Sequence, residues 1–214
     1  MNADICRKLI QDGAEARPYK HPLVGMRGGA EARPYKRPQT PTVDVYMREP
    51  RKNIRLGHQN YIGQRAYFVT TCCYNKKTYF ADAHRAQVLI DHLQALCASQ
   101  GYWLHAYCVM PDHVHLLVEG RYAQCDLLKF VALLKQKTAF ALKAAGVPRL
   151  WQRYYYDHIL RPKESWEAVA WYIWLNPVRR GLCAEPEDYP FSGSGTIEWK
   201  RKNRPAKPWV PPWK

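Results

Sequence analysis

Between about residue 66 and residue 176 the apolar positions switch between two periods. Tyr67–Cys73 (YFVTTCC) is β-branched and aromatic, the composition of a strand. Asp82–Ser99 sets Ala86, Leu89, Ile90, Leu93, Leu96 and Cys97 along one helical face and runs to Gly101, a natural stop. Trp103–Met110 and His113–Glu119 read as strands again. Between them stands Pro111-Asp112, where Pro fixes φ and Asp tolerates turn conformations, so the pair predicts a hairpin. Asp126–Ala144 predicts a second helix with Leu127, Phe130, Val131, Leu134 and Ala141 on its apolar side. Arg153–Leu160 predicts a fourth strand. Lys163–Asn176 predicts a third helix, which Pro177 is expected to stop, because the residue before a proline is pushed out of the α region. The order is β-α-β-β-α-β-α. Its first six elements match the split βαβ, ferredoxin-like arrangement, an α+β fold with a four-stranded antiparallel sheet and two helices on one face.

The flanks lack this periodicity. Residues 1–46 are rich in Gly, Pro, Ala and Arg and predict a disordered extension. Residues 47–195 form the folded domain. Residues 196–214 form a basic tail whose stretch WKRKNRPAKPWVPPWK carries six Lys or Arg, three Trp, four Pro and no acid.

Composition adds a partner class. Thirty-three Lys and Arg against eighteen Asp and Glu leave a net charge of +15, which points to a polyanion. Lys129, Lys135, Lys137, Lys143, Arg179, Arg180 and the tail residues Lys200, Arg201 and Lys202 are the candidates for neutralising phosphates. Any one of these lysines could equally be a solvated surface charge. Trp199, Trp209 and Trp213 suit stacking on unpaired bases, or packing on the domain itself. No run approaches the ~18 apolar residues of a membrane helix, and the first twenty residues lack a secretory signal. Seven cysteines, an odd number without framework spacing, fit a reducing compartment. The expectation is a cytoplasmic, nucleoid-associated protein with no membrane partner.

Two places carry chemistry. In His113-Val114-His115, a strand turns both imidazoles to one face, where they form either a pair of metal ligands or a pair satisfied by hydrogen bonds. In Trp171–Pro177 (WYIWLNP), Tyr172 and Asn176 stand at i and i+4 on one helical face. A tyrosine can serve as a covalent nucleophile once a cation or base activates it, and an amide oxygen suits a hard cation. An interface tyrosine and a helix-terminal asparagine would look the same.

This ordered set, inside a basic split-βαβ domain, resembles the single-tyrosine HUH transposases, in particular the REP-associated tyrosine transposases. The resemblance runs from about residue 51 to about residue 189, through YFVTTCCYNKKTYF, MPDHVHLLVE, WQRYYYDHILR and WYIWLNPVRRGLC. It implies that His113 and His115 hold Mg²⁺ or Mn²⁺ against the scissile phosphate and that Tyr172 is the nucleophile. Asn176 takes the place of a third metal ligand, where relatives often carry the longer Gln. His158 is placed near the site, with Asp157 as a further candidate behind it. Ligand type alone would suggest zinc or manganese; magnesium comes from the resemblance.

The implied reaction is cleavage of single-stranded DNA at palindromic hairpins, the repetitive extragenic palindromes, through a 5′-phosphotyrosine, followed by strand transfer. The enzyme would act as a monomer or homodimer. Two other readings stand beside it: a non-catalytic nucleic-acid-binding protein on a ferredoxin-like sheet, and a zinc protein using His113, His115 and Cys108.

The same resemblance bears on a duplication, GAEARPYK at Gly13–Lys20 and again at Gly29–Lys36. Two short polar copies cannot stack a core. A duplicated linear binding motif would account for them. The favoured reading is repetitive DNA beside the gene, read through as peptide, with Met47 as the natural start. Leaving out residues 1–46 removes eight Lys or Arg and five acidic residues, so the charge of the remainder is still +12.

Overall fold

The structure is a computed structural model that describes residues 56–198 and 204–212. The duplication, Met47, Trp199, Lys200, Arg201, Lys202 and Trp213 lie outside the described residues. The elements are β1 (Ala66–Cys73), α1 (Ala83–Gln100), β2 (Tyr102–Met110), β3 (His113–Gly120), α2 (Leu127–Lys143), β4 (Trp151–Ile159), α3 (Trp166–Trp174), α4 (Asn176–Arg179) and β5 (Ser192–Gly193). One antiparallel sheet runs in the order β4-β1-β3-β2-β5. Its first four strands and first two helices are the ferredoxin-like arrangement that the hydrophobic pattern predicts.

Helices α1, α2 and α3 each start on a side chain that satisfies an otherwise orphaned N–H. Asp82 accepts from Arg85 N at 2.9 Å, Asp126 from Lys129 N at 3.1 Å, and Ser165 from Ala168 N at 3.2 Å. Helix α1 ends on Gly101 in the left-handed region, as the pattern expects. Its six apolar residues named above are its buried set.

The sheet has two covered faces. Tyr67, Val69, Val109, Val114, Leu116 and Val118 point toward α1 and α2 and form the larger core. The alternate residues Phe68, Ala106, Cys108, Met110 and Leu117 point the other way, onto Val169, Ala170, Ile173 and Trp174 of α3. Strand alternation therefore divides the protein into a structural layer and a second layer beneath α3.

Two elements differ from the sequence expectation. A fifth, two-residue strand, β5, follows the helices, held at the edge of β2 where Val109 N donates to Phe191 O at 2.8 Å and Trp174 Nε1 donates to Gly193 O at 3.1 Å. Two residues are too few to leave a period in the sequence. The third helix does break before Pro177, at Leu175, but the chain resumes as α4 with Pro177 in its first turn. Proline is tolerated there because that N–H has no helical partner in any case.

Candidate active site

Strand register decides what meets the two histidines. His115 lies opposite Thr70 on β1 and Cys108 on β2, and His113 lies opposite Cys72 and Met110. Directly paired residues share a face, so all six belong to the layer beneath α3. Both histidines are buried at 7% exposure, in the centre of the sheet.

Their ring nitrogens are fixed on both sides. His113 Nδ1 faces the carboxylate of its neighbour Asp112, and His115 Nδ1 lies 2.8 Å from Thr70 Oγ1. The two Nε2 atoms converge at 3.1 Å. A carboxylate only accepts, so His113 donates through Nδ1–H and turns a lone pair inward. Thr70 can donate or accept. When it donates, His115 carries its proton on Nε2 and gives it to His113. When it accepts, both lone pairs face one point, an arrangement that needs a cation between them.

The spacing suits that cation. Ligand atoms about 2.1 Å from an ion and about 90° apart lie about 3.0 Å from each other. The Asp112–His113 contact is also the carboxylate–histidine support usual behind a metal ligand. His113 and His115 therefore fit a divalent ion. Among the described residues, no group of three or more His, Cys, Asp and Glu is arranged to hold one, so further ligands would come from water, substrate oxygens or an amide. Cys108 shares the face, but burial pushes its thiol well up, away from the thiolate that zinc requires.

Burial also disfavours the imidazolium. It lowers His113 against the opposing pull of Asp112, and it lowers His115 well below the usual imidazole range, helped by the positive charges of Arg179, Lys76 and Arg180. Neutral imidazole is the form that binds a metal.

Helix α3 carries Tyr172 over this pair. Phe68 is the hub, with ring centroids 5.6 Å from His115, 6.0 Å from Tyr172 and 5.3 Å from Trp209. The Tyr172 ring is 6.5 Å from His115. Burial raises the Tyr172 pKa, partly offset by Arg179, whose guanidinium sits 4.5 Å over the ring. Arg179 also donates to the Tyr172 carbonyl at 2.6 Å. As it stands the phenol keeps its proton.

Asn176 directs its Nδ2 to the carbonyls of Tyr172 and Ile173 at 3.0 and 3.1 Å, capping the end of α3. His158, opposite Phe68 on β4, shares the face and bonds Glu164 at 2.9 Å. Asp157 lies opposite Val69 and so faces the helical layer on the other side of the sheet. Lys135 and Lys137 stand on α2, also across the sheet from the histidines. Lys135 donates to Gln152 O at 2.6 Å and Arg153 O at 3.1 Å, which ties α2 to β4. Arg179 and Arg180 remain beside the site.

Thr70 and Lys76 enter only with the structure, which also gives Trp209 its place. Trp209, from the tail, packs at 5.1 Å on Tyr172 and donates from its indole N–H to Glu164 at 2.8 Å. Of the three tail tryptophans, the described one packs on its own domain. A cavity of about 320 Å³ opens beside it, lined by Tyr172, Arg179, Arg204 and Trp209 among others. Lys76 reaches within 3.8 Å of Asp112 and 3.0 Å of Cys72 Sγ from a turn in which Asn75 and Lys76 both have positive φ, 51° and 56°. Thr70 and Lys76 leave no mark in the sequence that separates them from other polar residues. Asp112 does, since it adjoins the histidine pair.

A ferredoxin-like sheet with a paired-histidine central strand and a tyrosine-bearing helix across from it is the arrangement of the single-tyrosine HUH class. The family described as "Transposase IS200 like" matches residues 62–174, more than half of the sequence, and the chain belongs to that family. It is 29% identical to an uncharacterised protein of Haemophilus influenzae, over 60% of this chain and 88% of that one. It is 24% identical to a REP-associated tyrosine transposase of Escherichia coli, over 62% of this chain and 78% of that one. Among solved structures, a REP-associated tyrosine transposase bound to a REP hairpin superposes with a TM-score of 0.54 at 23% identity, covering 62% of this chain and 78% of the other, which supports the fold.

Proposed function

We propose that this transposase is a metal-dependent single-stranded DNA endonuclease and strand transferase that cuts beside a folded palindromic hairpin through a covalent bond to Tyr172. The observation that carries the reading is the approach of Tyr172 to the His113–His115 pair on one buried sheet face, with their Nε2 atoms 3.1 Å apart. A divalent ion such as Mg²⁺ or Mn²⁺, held by His113 and His115, would supply Lewis-acid stabilisation of charge on the phosphoryl oxygens. The protein residues do the remainder. Asp112 and Thr70 hold the imidazoles in orientation. Arg179, Arg180 and Lys76 offer positive charge to the strand around the scissile phosphate. The Tyr172 oxygen attacks phosphorus, its proton leaves to solvent or a nearby base, and the bond to the 3′ oxygen breaks. The products are a 5′-phosphotyrosine and a free 3′-hydroxyl. The ester is retained, so a 3′-hydroxyl can reverse the step and join strands without ATP.

Hairpin DNA as the substrate comes from the relative solved with a REP hairpin, together with the basic charge of this chain. The test is a labelled single-stranded hairpin oligonucleotide incubated with the full chain and Mn²⁺ or Mg²⁺, then run under denaturing conditions. The expected result is a covalent protein–DNA band, lost in Tyr172→Phe and with EDTA. Binding in native gels with no covalent band for any hairpin offered would instead favour the non-catalytic binder.

A further inference from the structure

An exposed aromatic and cationic cluster lies at the far end of the same sheet, with Trp103 on the α3 face and Tyr122 beside the C-terminus of α1 and the N-terminus of α2. Trp103 on β2 lies opposite Glu119 on β3, two positions from Leu117, so it faces the α3 side like the histidines. Arg121, just past β3, stacks its guanidinium 4.2 Å from the Trp103 ring and 5.4 Å from that of Tyr122. Trp103 and Tyr122 are 43% and 47% exposed, and so is 41% of Trp166 at the start of α3. Singly exposed aromatics are ordinary, and Phe140 and Tyr154 are more open still; what marks this place is that the rings are grouped around one guanidinium.

The cluster is held rigidly. Arg121 N donates to Gly101 O at 2.9 Å, and its own carbonyl accepts from Gln64 Nε2 at 2.9 Å. The Tyr122 ring covers Gly101, where a Cβ would come within 2.7 Å of it. Trp166 stacks on buried His105 with centroids 4.6 Å apart, and His105 bonds Glu119 at 2.9 Å and Thr196 at 2.7 Å. The nearby acids are engaged: Glu119 by His105, Asp126 by His58 and the N-terminus of α2, and Glu167, the exposed neighbour of Trp166, by the Ser165 hydroxyl. Arg121 and exposed Arg65 and Lys129 are left as cations at this end.

We infer that Trp103, Arg121 and Tyr122 form a second nucleic-acid contact, a stacking site for an unpaired base of the same DNA strand whose phosphodiester is cut at His113 and His115. The chemistry fits one occupant. Flat aromatic faces bearing a guanidinium attract a nucleobase by stacking, while the surrounding cations meet its phosphates. A peptide partner would gain little from the positive rim unless it were acidic. Six residue steps lead from His115 to Arg121, roughly 20 Å, or about six steps along a B-form stem. The site would thus hold a loop or bulged base of a folded hairpin at a fixed distance from the cleaved bond. Residues 113–119 alternate onto both places, so one strand sets the ruler between them.

This rests on the proposed function, and the experiment separates the two. The full chain, with EDTA present, is titrated against a fluorescent hairpin oligonucleotide with an unpaired loop and bulge, and against the same stem as a blunt, fully paired duplex. Trp103→Ala/Tyr122→Ala is expected to weaken hairpin binding roughly tenfold or more, leave duplex binding within about twofold, and be largely rescued by Trp103→Phe/Tyr122→Phe. Unchanged thermal melting would exclude unfolding as the cause. As a second measurement on the wild type, 5-iodouracil in the loop or bulge is expected to crosslink to the peptides carrying Trp103 or Tyr122. Crosslinks only elsewhere, unchanged hairpin affinity, or equal losses on hairpin and duplex would overturn the inference. In those cases a Tyr172 adduct would still uphold the endonuclease, whereas a wild-type chain that bound neither oligonucleotide would sink both.

Discussion

Two residues with positive φ, Asn75 and Lys76, are the most strained described backbone that is not glycine. A left-handed turn of this kind favours Asn-Gly, and a lysine there costs about 1 kcal/mol. Strain of that sort persists where a side chain is needed, and Lys76 is held against Asp112 and Cys72. Lys76→Gly is expected to raise stability by about 1 kcal/mol in thermal or urea unfolding while slowing adduct formation roughly tenfold. A gain in both would show that the strain has no functional counterpart. The histidines give a second residue-scale outcome. Burial depresses both, so below about pH 6.5 the unfolded chain takes up protons that the folded chain resists. Stability of the metal-free protein is therefore full above that pH. It falls as pH drops from about 6.5 toward the folded values, by up to about 1.4 kcal/mol per pH unit for each histidine. Melting curves in EDTA across pH 5 to 7.5 check this, and His115→Gln should flatten the dependence.

At the scale of elements, the tail segment and α3 compete for the same neighbours. Trp209 lies on Tyr172 and on Phe68, and its indole N–H is fixed on Glu164. Burial opposes ionisation of Glu164, but the N–H of Arg161, Trp209 and His158 together hold its pKa below the usual range, so it accepts these bonds as a carboxylate at neutral pH. Trp209→Ala removes a ring that covers the proposed nucleophile, so it is expected to speed adduct formation on a hairpin oligonucleotide, read as the rate of the covalent band. A slower rate would mean that the ring helps to position Tyr172. A second element-scale outcome concerns the turn before β1. At Gly120 a Cβ would fall 2.2 Å from the Gly63 carbonyl oxygen, so backbone must move. Gly120→Ala should cost about 2 kcal/mol or more in unfolding experiments.

For the whole molecule, charge sets affinity. A chain of net charge +15 that neutralises several phosphates releases their counterions, and its binding constant should fall steeply with salt. With six to ten phosphate contacts, hairpin affinity would drop on the order of 10³- to 10⁵-fold between 50 and 200 mM salt. Arg179→Gln should lower the slope by about one unit if Arg179 meets a phosphate. Among the described residues no helix is long and apolar enough to cross a membrane, and all six cysteines there are free thiols.

The spacing of apolar residues along the chain sets the periods. The buried face of α1, the Pro111-Asp112 hairpin and the shared face of His113 and His115 follow from repeats of 3.6 and 2.0, which are properties of neighbouring residues. The order of elements then leaves few topologies, and the ferredoxin-like one is among them. Register and long-range packing belong to the tertiary structure. Thr70 reaches His115 across 45 residues, and Trp209 reaches Glu164 across the same separation. No local period records either contact. The same holds for Lys135, a surface cation by its sequence, which the fold uses to tie α2 to β4, and for the two residues of β5. Local propensity placed the functional side chains on their strands and helices. Only packing brought Tyr172 over the histidines and Trp209 over Tyr172, because those approaches depend on how α3 and the tail bury their apolar sides against Phe68.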